Sequence, residues 1–117
     1  MIFDTPLLCA SKYGHLSVVE FLVNQQANIN FQLSGHLYGT ALHCAAANGH
    51  LRVVEYLVNH GSDINEQSIV IPFGTSLHFA AEKGILTIVE YFIRQKADIN
   101  SNNMNFMYFT SIKLQFI

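Results

Sequence analysis

Apolar side chains recur along the chain with the spacing of amphipathic α-helices. In the clearest stretch, the apolar positions are Leu16, Val19, Leu22 and Val23. This spacing places them on one face of a helix. A shorter apolar stretch over residues 7–11 precedes it and stops before Gly14, which can adopt the left-handed conformation that follows a helix. The polar residues 24–28 end the second helix. The pattern predicts two packed helices followed by an extended connector.

The same pattern occurs three times at an interval of 35 residues. Segments 5–30, 40–65 and 75–100 align without gaps. The recurring threonines are Thr5, Thr40 and Thr75, and the recurring glycines after the first helix are Gly14, Gly49 and Gly84. A two-helix unit cannot bury its apolar faces alone, so each unit is expected to stack on the next. The sequence therefore predicts an all-α solenoid.

We expect a single domain over residues 1–117. Its units are predicted at about 5–39, 40–74 and 75–109, with a partial fourth unit or C-terminal cap at 110–117. In the partial unit, Gln115 and Phe116 occupy positions where the other units have small residues. These bulky side chains should disturb stacking, so the last segment is expected to be either a makeshift cap or a frayed end.

Composition and charge narrow the possible functions. Half of the 117 residues are hydrophobic and 12% are charged, against about a quarter in ordinary soluble proteins. The net charge is −2 and the six lysines and arginines are scattered, which argues against nucleic-acid binding and against an anionic membrane surface. No apolar run approaches the ~20 residues that span a bilayer. With no secretory signal and no disulfide framework, the chain is expected to be intracellular, either cytoplasmic or nuclear.

The second unit resembles the ankyrin repeat. The residues that carry the resemblance are Thr40-Ala41-Leu42-His43, Gly49-His50-Leu51, Val53-Val54-Glu55 and Gly61-Ser62-Asp63-Ile64-Asn65. The resemblance covers about residues 5–100. It implies a helix-turn-helix repeat solenoid with extended, hairpin-like connectors, which acts as a protein–protein interaction module or scaffold.

The resemblance also implies a structural role for two histidines. His43 and His78 are expected to hydrogen-bond to Thr40 and Thr75, respectively, and to nearby backbone, whereas Leu8 replaces the histidine in the first unit. The residues that we expect to be structural are Thr5, Thr40, His43, Thr75, His78, Gly14, Gly49 and Gly84.

Two features depart from the family pattern. Gly61 follows the second helix of the second unit, but Gln26 and Lys96 occupy that position in the other units, and we expect those helix ends to close differently. The connectors are also longer than usual, with nine residues and apolar tips. An aromatic residue stands two positions before each threonine of the repeat, at Phe3, Tyr38, Phe73 and Tyr108. These rings either pack on one another or form an exposed apolar contact strip.

Catalytic and metal chemistry find little support in the sequence. Histidines recur at the repeat interval, which indicates structure and not a converging set of metal ligands, so no metal or other cofactor is expected. Cys44 and His43 are helix neighbours and do not face each other, so they do not form a nucleophilic pair. Cys9 and Cys44 occupy equivalent positions and are both expected to be buried. With no phosphate loop or paired catalytic carboxylates, the chain is not expected to be an enzyme.

By the same resemblance, a partner protein binds the concave side, at the connector tips and the exposed ends of the first helices. Those helix ends are Lys12-Tyr13, Ala47-Asn48 and Glu82-Lys83. The contact residues that we expect are Tyr13, Leu37, Tyr38, Asn48, Val70, Ile71, Phe73, Lys83 and Tyr108. In the alternative, the chain is a self-associating or purely structural fragment of a longer array with no partner site of its own. This alternative rests on the ends of the stack, because uncapped terminal units leave apolar faces exposed.

Overall fold

A computed structural model describes residues 4–33, 39–69 and 74–95 of the chain. Six α-helices lie in these ranges, and no strand occurs in them. The helices are α1 Asp4–Tyr13, α2 Leu16–Asn24, α3 Ala41–Ala47, α4 Leu51–Asn59, α5 Ser76–Lys83 and α6 Leu86–Arg94. We call α1–α2 unit 1, α3–α4 unit 2 and α5–α6 unit 3. The predicted all-α class is confirmed.

Each helix pair is joined by the same tight turn. Gly14, Gly49 and Gly84 have φ values of 77°, 82° and 73°. In each unit the residue after the glycine donates its backbone N–H to a first-helix carbonyl five residues earlier, as from His15 to Ala10 at 3.0 Å. Because glycine adopts positive φ without steric strain, this turn repeats with little variation.

The units stack helix on helix. Helix α3 contacts α1 and α5, while α4 contacts α2 and α6. Ala45 and Ala46 are fully buried between the first helices, where side chains without bulk let the backbones approach closely. Larger side chains such as Leu57 and Phe92 fill the space towards the second helices and form one core through all three units.

Short backbone contacts close the base of the first two connectors. Leu33 and Gly39 form an isolated antiparallel bridge. At the equivalent positions one unit later, Ser68 donates its backbone N–H to the Gly74 carbonyl at 2.8 Å. The connectors therefore leave and return to the stack at adjacent points.

The expectation that Cys9 is buried like Cys44 is wrong. Cys44 is buried, but Cys9 is exposed. The reason is its place in the stack, because this side of a first helix packs against the preceding unit. Phe79, the equivalent residue in unit 3, lies against Ala47 of unit 2, whereas no unit precedes α1 within the described residues.

The expectation that the second helix closes differently without glycine is wrong for Gln26. Gln26 adopts φ 69°, so a non-glycine residue occupies the left-handed region. The following Ala27 donates its backbone N–H to the Leu22 carbonyl at 3.2 Å, and Ser62 makes the matching bond to Leu57 at 2.9 Å. The stacked units therefore impose one helix ending on two different residues. Lys96 lies outside the described residues.

This strain predicts a stabilising substitution. Gln26→Gly should raise the free energy of unfolding by about 0.5–1 kcal/mol, because relief of the left-handed strain exceeds the entropy that glycine adds to the unfolded chain. Urea unfolding followed by far-UV circular dichroism measures the change. Gln25→Gly is the matched control, since Gln25 already has φ −85° and should gain nothing. Equal effects of the two substitutions would contradict the assignment of strain to Gln26.

Candidate functional site

Three exposed side chains stand in line at the ends of the first helices. Tyr13, Asn48 and Lys83 occupy the same position of their units, immediately before the turn glycine, and all three are exposed. We call them the helix-end row. Since α3 contacts both α1 and α5, and packed helices lie about 8–10 Å apart, the row extends over about 20 Å.

Tyr13 presents a ring that neighbours hold but do not cover. The residue is 62% exposed. The Lys12 ammonium nitrogen lies 5.4 Å from the ring centroid, and the His15 ring stacks on the tyrosine at a centroid distance of 6.4 Å. Both contacts restrict the ring while leaving much of its surface in water. Such a ring can pack against an apolar or cationic group at a small entropic cost.

Asn48 and Lys83 give the other two positions of the row different chemistry. The Asn48 amide donates one hydrogen bond to the Cys44 carbonyl at 2.8 Å, which orients its side chain. Lys83 adds an exposed cation at the last turn of α5. The row thus offers an aromatic ring, an amide and an ammonium group on one repeated backbone.

The residues beside the row are less accessible than the family pattern implies. The position before each row residue is occupied by Lys12, Ala47 and Glu82. Ala47 is 5% exposed and packs against Phe79 of the next unit, so it cannot contact a partner. Lys12 and Glu82 are half-buried. At this end of the first helices, only the position immediately before the turn glycine is therefore exposed in every unit.

A threonine–histidine pair begins the first helix of units 2 and 3. Thr40 Oγ1 accepts a hydrogen bond from the His43 backbone N–H at 3.2 Å, and His43 Nδ1 accepts one from the Thr40 backbone N–H at 2.9 Å. Thr75 and His78 repeat this reciprocal capping arrangement. It satisfies two backbone N–H groups that a helix start leaves without partners. In unit 1, α1 begins at Asp4, and Thr5 lies exposed inside the helix.

The His43 ring also ties the helix to the following connector. Its Nε2–H donates to the Glu66 carbonyl at 2.9 Å, while Nδ1 accepts from Thr40, which assigns the proton to Nε2. The ring is 1% exposed, and this burial lowers the His43 pKa from 6.5 to about 4, against the smaller raising effects of the Glu66 carbonyl bond and of Asp63. His43 is neutral at physiological pH and serves to position the connector.

Gln32 is a connector residue that the sequence analysis missed. Its amide donates to Glu66 Oε2 at 2.8 Å and to the Gln67 carbonyl at 2.9 Å. Its Oε1 accepts the backbone N–H of Ile69 at 2.8 Å. One side chain therefore joins two successive connectors. A signal was present, because Gln67 occupies the equivalent position 35 residues later.

The connector tips carry the remaining expected contact residues. The residues concerned are Leu37, Tyr38, Val70, Ile71, Phe73 and Tyr108, and all lie outside the described ranges. The same holds for Phe3, the first ring of the aromatic series, and for the partial fourth unit at 110–117. Their role in partner contact stays a prediction.

The described part of the chain offers few side chains that could bind a metal ion or act as a catalytic base. No cluster of three or more metal-ligating side chains occurs in residues 4–33, 39–69 and 74–95. Burial, and secondly the Glu55 carboxylate, raises the pKa of Tyr91, so this phenol keeps its proton and is a poor base. In the same ranges no helix is both long and apolar enough to cross a bilayer.

Comparison with known families agrees with the stacked helix pairs. Residues 3–68 match a family model described as ankyrin repeats in three copies, and residues 74–101 match a model for a single ankyrin repeat. No curated protein matches the sequence. The first of the two matches alone spans more than half of the 117 residues. The resemblance seen in the sequence is thereby confirmed, and the chain belongs to the ankyrin-repeat family.

Proposed function

We propose that this chain is a protein-interaction scaffold that binds a partner protein through the helix-end row and the adjoining connector tips. Ankyrin repeats are generally protein–protein interaction modules and are typically not catalytic. The tip residues included in the proposal are Leu37, Tyr38, Val70, Ile71, Phe73 and Tyr108.

The observation that carries the proposal is the contrast within the first helices. The position of the helix-end row is exposed in all three units, although residues around it are buried in the stack. Its backbone setting is the same each time, but its side chains are aromatic, amide and cationic. A repeated scaffold with different side chains at one exposed position gives a partner a distinct sequence of contacts to recognise.

The chemistry of the row indicates what a matching segment would carry. Tyr13, already flanked by Lys12 and His15, suits an apolar or aromatic side chain. Lys83, at the other end, suits a carboxylate. We therefore propose an extended partner segment with an apolar anchor and an acidic group about 20 Å apart, the span set by two helix spacings.

We also propose an intracellular site of action, in the cytoplasm or the nucleus. Cys9 is a free thiol on the surface. Exposed thiols persist where glutathione and thioredoxin keep them reduced, and they tend to oxidise outside the cell.

Photo-crosslinking from the row tests the proposal. A benzophenone amino acid at Tyr13 or Asn48 should capture one defined partner in cells, and the same probe at Arg52 should not. Arg52 is the control because it is also exposed but lies on α4, a second helix, and is not part of the row. Purified partner should then bind the Tyr13→Ala/Lys83→Ala variant at least about tenfold more weakly than the wild type, as expected when two contact anchors are removed.

Capture of a protein from the helix-end row is not sufficient, and the test compares crosslinking and binding at the row with those at Arg52. Arg52→Ala should leave the dissociation constant unchanged, and circular dichroism should show equal helix content in all variants. Equal crosslinking from Arg52 and Tyr13, or unaltered binding by the double variant, would place the partner site elsewhere.

A further inference from the structure

Equivalent residues of the three units differ in burial in a way that reveals an uncovered end. Val18 is 46% exposed, whereas Val53 and Ile88, which occupy its position in units 2 and 3, are buried. Phe21 is 59% exposed, whereas Tyr56 is half-buried and Tyr91 is buried. The same side chains are thus covered in two units and uncovered in the first.

In unit 3 the preceding unit covers a first-helix position that is exposed in unit 1. The Phe79 ring packs edge-on to the His43 ring of unit 2, with centroids 5.6 Å apart, and contacts Ala47. Its equivalent in unit 1 is Cys9, which is exposed. We call Cys9, Val18 and Phe21 the head face, because the equivalents of all three are buried or half-buried in units that follow another unit.

The opposite end of the described stack has its own uncovered residues. Leu86 is 59% exposed and Ile93 is 38% exposed. Their equivalents in the first two units, Leu16 with Leu51 and Val23 with Val58, are half-buried and pack against the core. We call Leu86 and Ile93 the tail face, because their positions are covered where another unit follows.

We propose that the head face of one copy binds the tail face of a second copy, which continues the stack from one molecule to the next. The chain already contains the kind of interface that a second copy would form. Surfaces of these two kinds meet between units 1 and 2 and again between units 2 and 3, through α1–α3–α5 and α2–α4–α6. A second copy presents a tail face built from the same repeat. The head face of one copy therefore matches the tail face of another as neighbouring units match inside one chain.

This association is head-to-tail and not two-fold symmetric. Within the chain, a head-type surface meets a tail-type surface at each junction between units. Because both faces of each molecule remain available after one contact, the assembly does not close and grows with concentration. Few large apolar side chains lie on each face, so the interface is weak, with an expected dissociation constant of about 1 μM or higher.

Sedimentation velocity across micromolar to millimolar concentrations tests the proposal on the wild-type chain, on two variants that each block one face and on one control variant. Wild-type chain should increase in average mass beyond the dimer as its concentration rises. Phe21→Glu blocks the head face and Leu86→Glu blocks the tail face, so each variant alone should remain monomeric. An equimolar mixture of the two should form a dimer and stop there, since each retains the face that the other lacks. Both substitutions are at exposed positions, and circular dichroism checks that the helices persist.

Each alternative gives a different result. A monomeric wild type at every concentration overturns the proposal. Persistent dimers of Leu86→Glu also overturn it, because a two-fold contact between head faces needs no tail face. A mixture that stays monomeric overturns it as well, because the intact head face of one variant then fails to bind the intact tail face of the other. Arg52→Glu is the matched control on an exposed part of α4 that belongs to neither face and should associate like wild type.

Cys9 supplies an independent readout of the head face. It is exposed, whereas Cys44, the second of the two cysteines, is buried. The reaction of Cys9 with a thiol reagent should slow as wild-type chains associate, and should remain fast in Phe21→Glu at the same concentration. Association with no protection of Cys9 would show that the contact lies elsewhere and would overturn the proposal.

Discussion

Replacement of Gly39 by alanine should lower the free energy of unfolding by about 3 kcal/mol more than the same replacement at Gly61. The two glycines have nearly the same φ, 103° at Gly39 and 107° at Gly61. The strain of a side chain at such φ values is therefore shared by both substitutions, and the difference between them reports what surrounds each position.

The surroundings of the two glycines are opposite. A Cβ at Gly39 would lie 2.8 Å from His43 Nδ1, 2.8 Å from Ser68 Oγ and 2.9 Å from Gln32 Oε1, whereas at Gly61 nothing lies within 4 Å. To make room, the alanine must displace His43 from its capping position or Gln32 from its connector bonds. Each displacement leaves a hydrogen-bonding group without its partner in a buried or half-buried setting.

Urea unfolding of both alanine variants measures the difference. Typical domains have a total stability of about 5–15 kcal/mol, so Gly39→Ala should remove a large share of it while Gly61→Ala remains well folded. Equal midpoints for the two variants would show that the connector and His43 relax freely, contrary to a rigid junction at Gly39.

Acidification should destabilise the protein through His43 before most carboxylates titrate. Burial lowers the His43 pKa from 6.5 to about 4 in the folded chain. At about 1.4 kcal/mol per pH unit, this shift corresponds to about 3 kcal/mol, and about 2 kcal/mol of it falls between about pH 6.5 and pH 5.

The sign follows from which state takes up the proton. Below pH 6.5 the unfolded chain protonates His43, whereas the folded chain keeps the ring neutral until about pH 4. The unfolded state therefore binds more protons in this window, and stability falls as pH falls. Well above pH 6.5 His43 is neutral in both states, so its effect on the free energy of unfolding no longer changes with pH.

The slope of unfolding free energy against pH tests this expectation. His43→Gln should flatten the slope between about pH 6.5 and pH 5. NMR titration of the His43 ring provides a direct check, with a midpoint near 4 expected. A ring that titrates near 6.5 would mean that its burial and its bond to Glu66 do not persist in solution.

The repeat made much of the fold predictable. The apolar spacing at Leu16, Val19 and Leu22 and the interval of 35 residues indicate helix pairs that must stack, and the described helices do so. Residue preferences did not predict the backbone conformation at positions where packing against the neighbouring unit determines it. Gln26 takes the left-handed conformation, although its own preference is against it, because the stack fixes the direction of the chain after α2.

The candidate site was predictable to a smaller extent. Repeat alignment indicates the helix-end row at Tyr13, Asn48 and Lys83, because exposure there follows from the position within the unit. It could not exclude Ala47 as a contact residue, since Ala47 is buried by the Phe79 side chain of another unit. Nor did it single out Gln32, whose three hydrogen bonds reach the next connector.

By itself, the sequence determined the repeat length, the two helices of each unit and the turns at Gly14, Gly49 and Gly84, because apolar spacing and backbone preference act within about 35 residues. The tertiary structure alone decided which copies of a repeated position are covered. Cys9 and Cys44 are the same residue type at the same position of the repeat, yet Cys9 is exposed and Cys44 is buried. Burial at a repeated position depends on the neighbouring unit, and within the described residues no unit precedes unit 1.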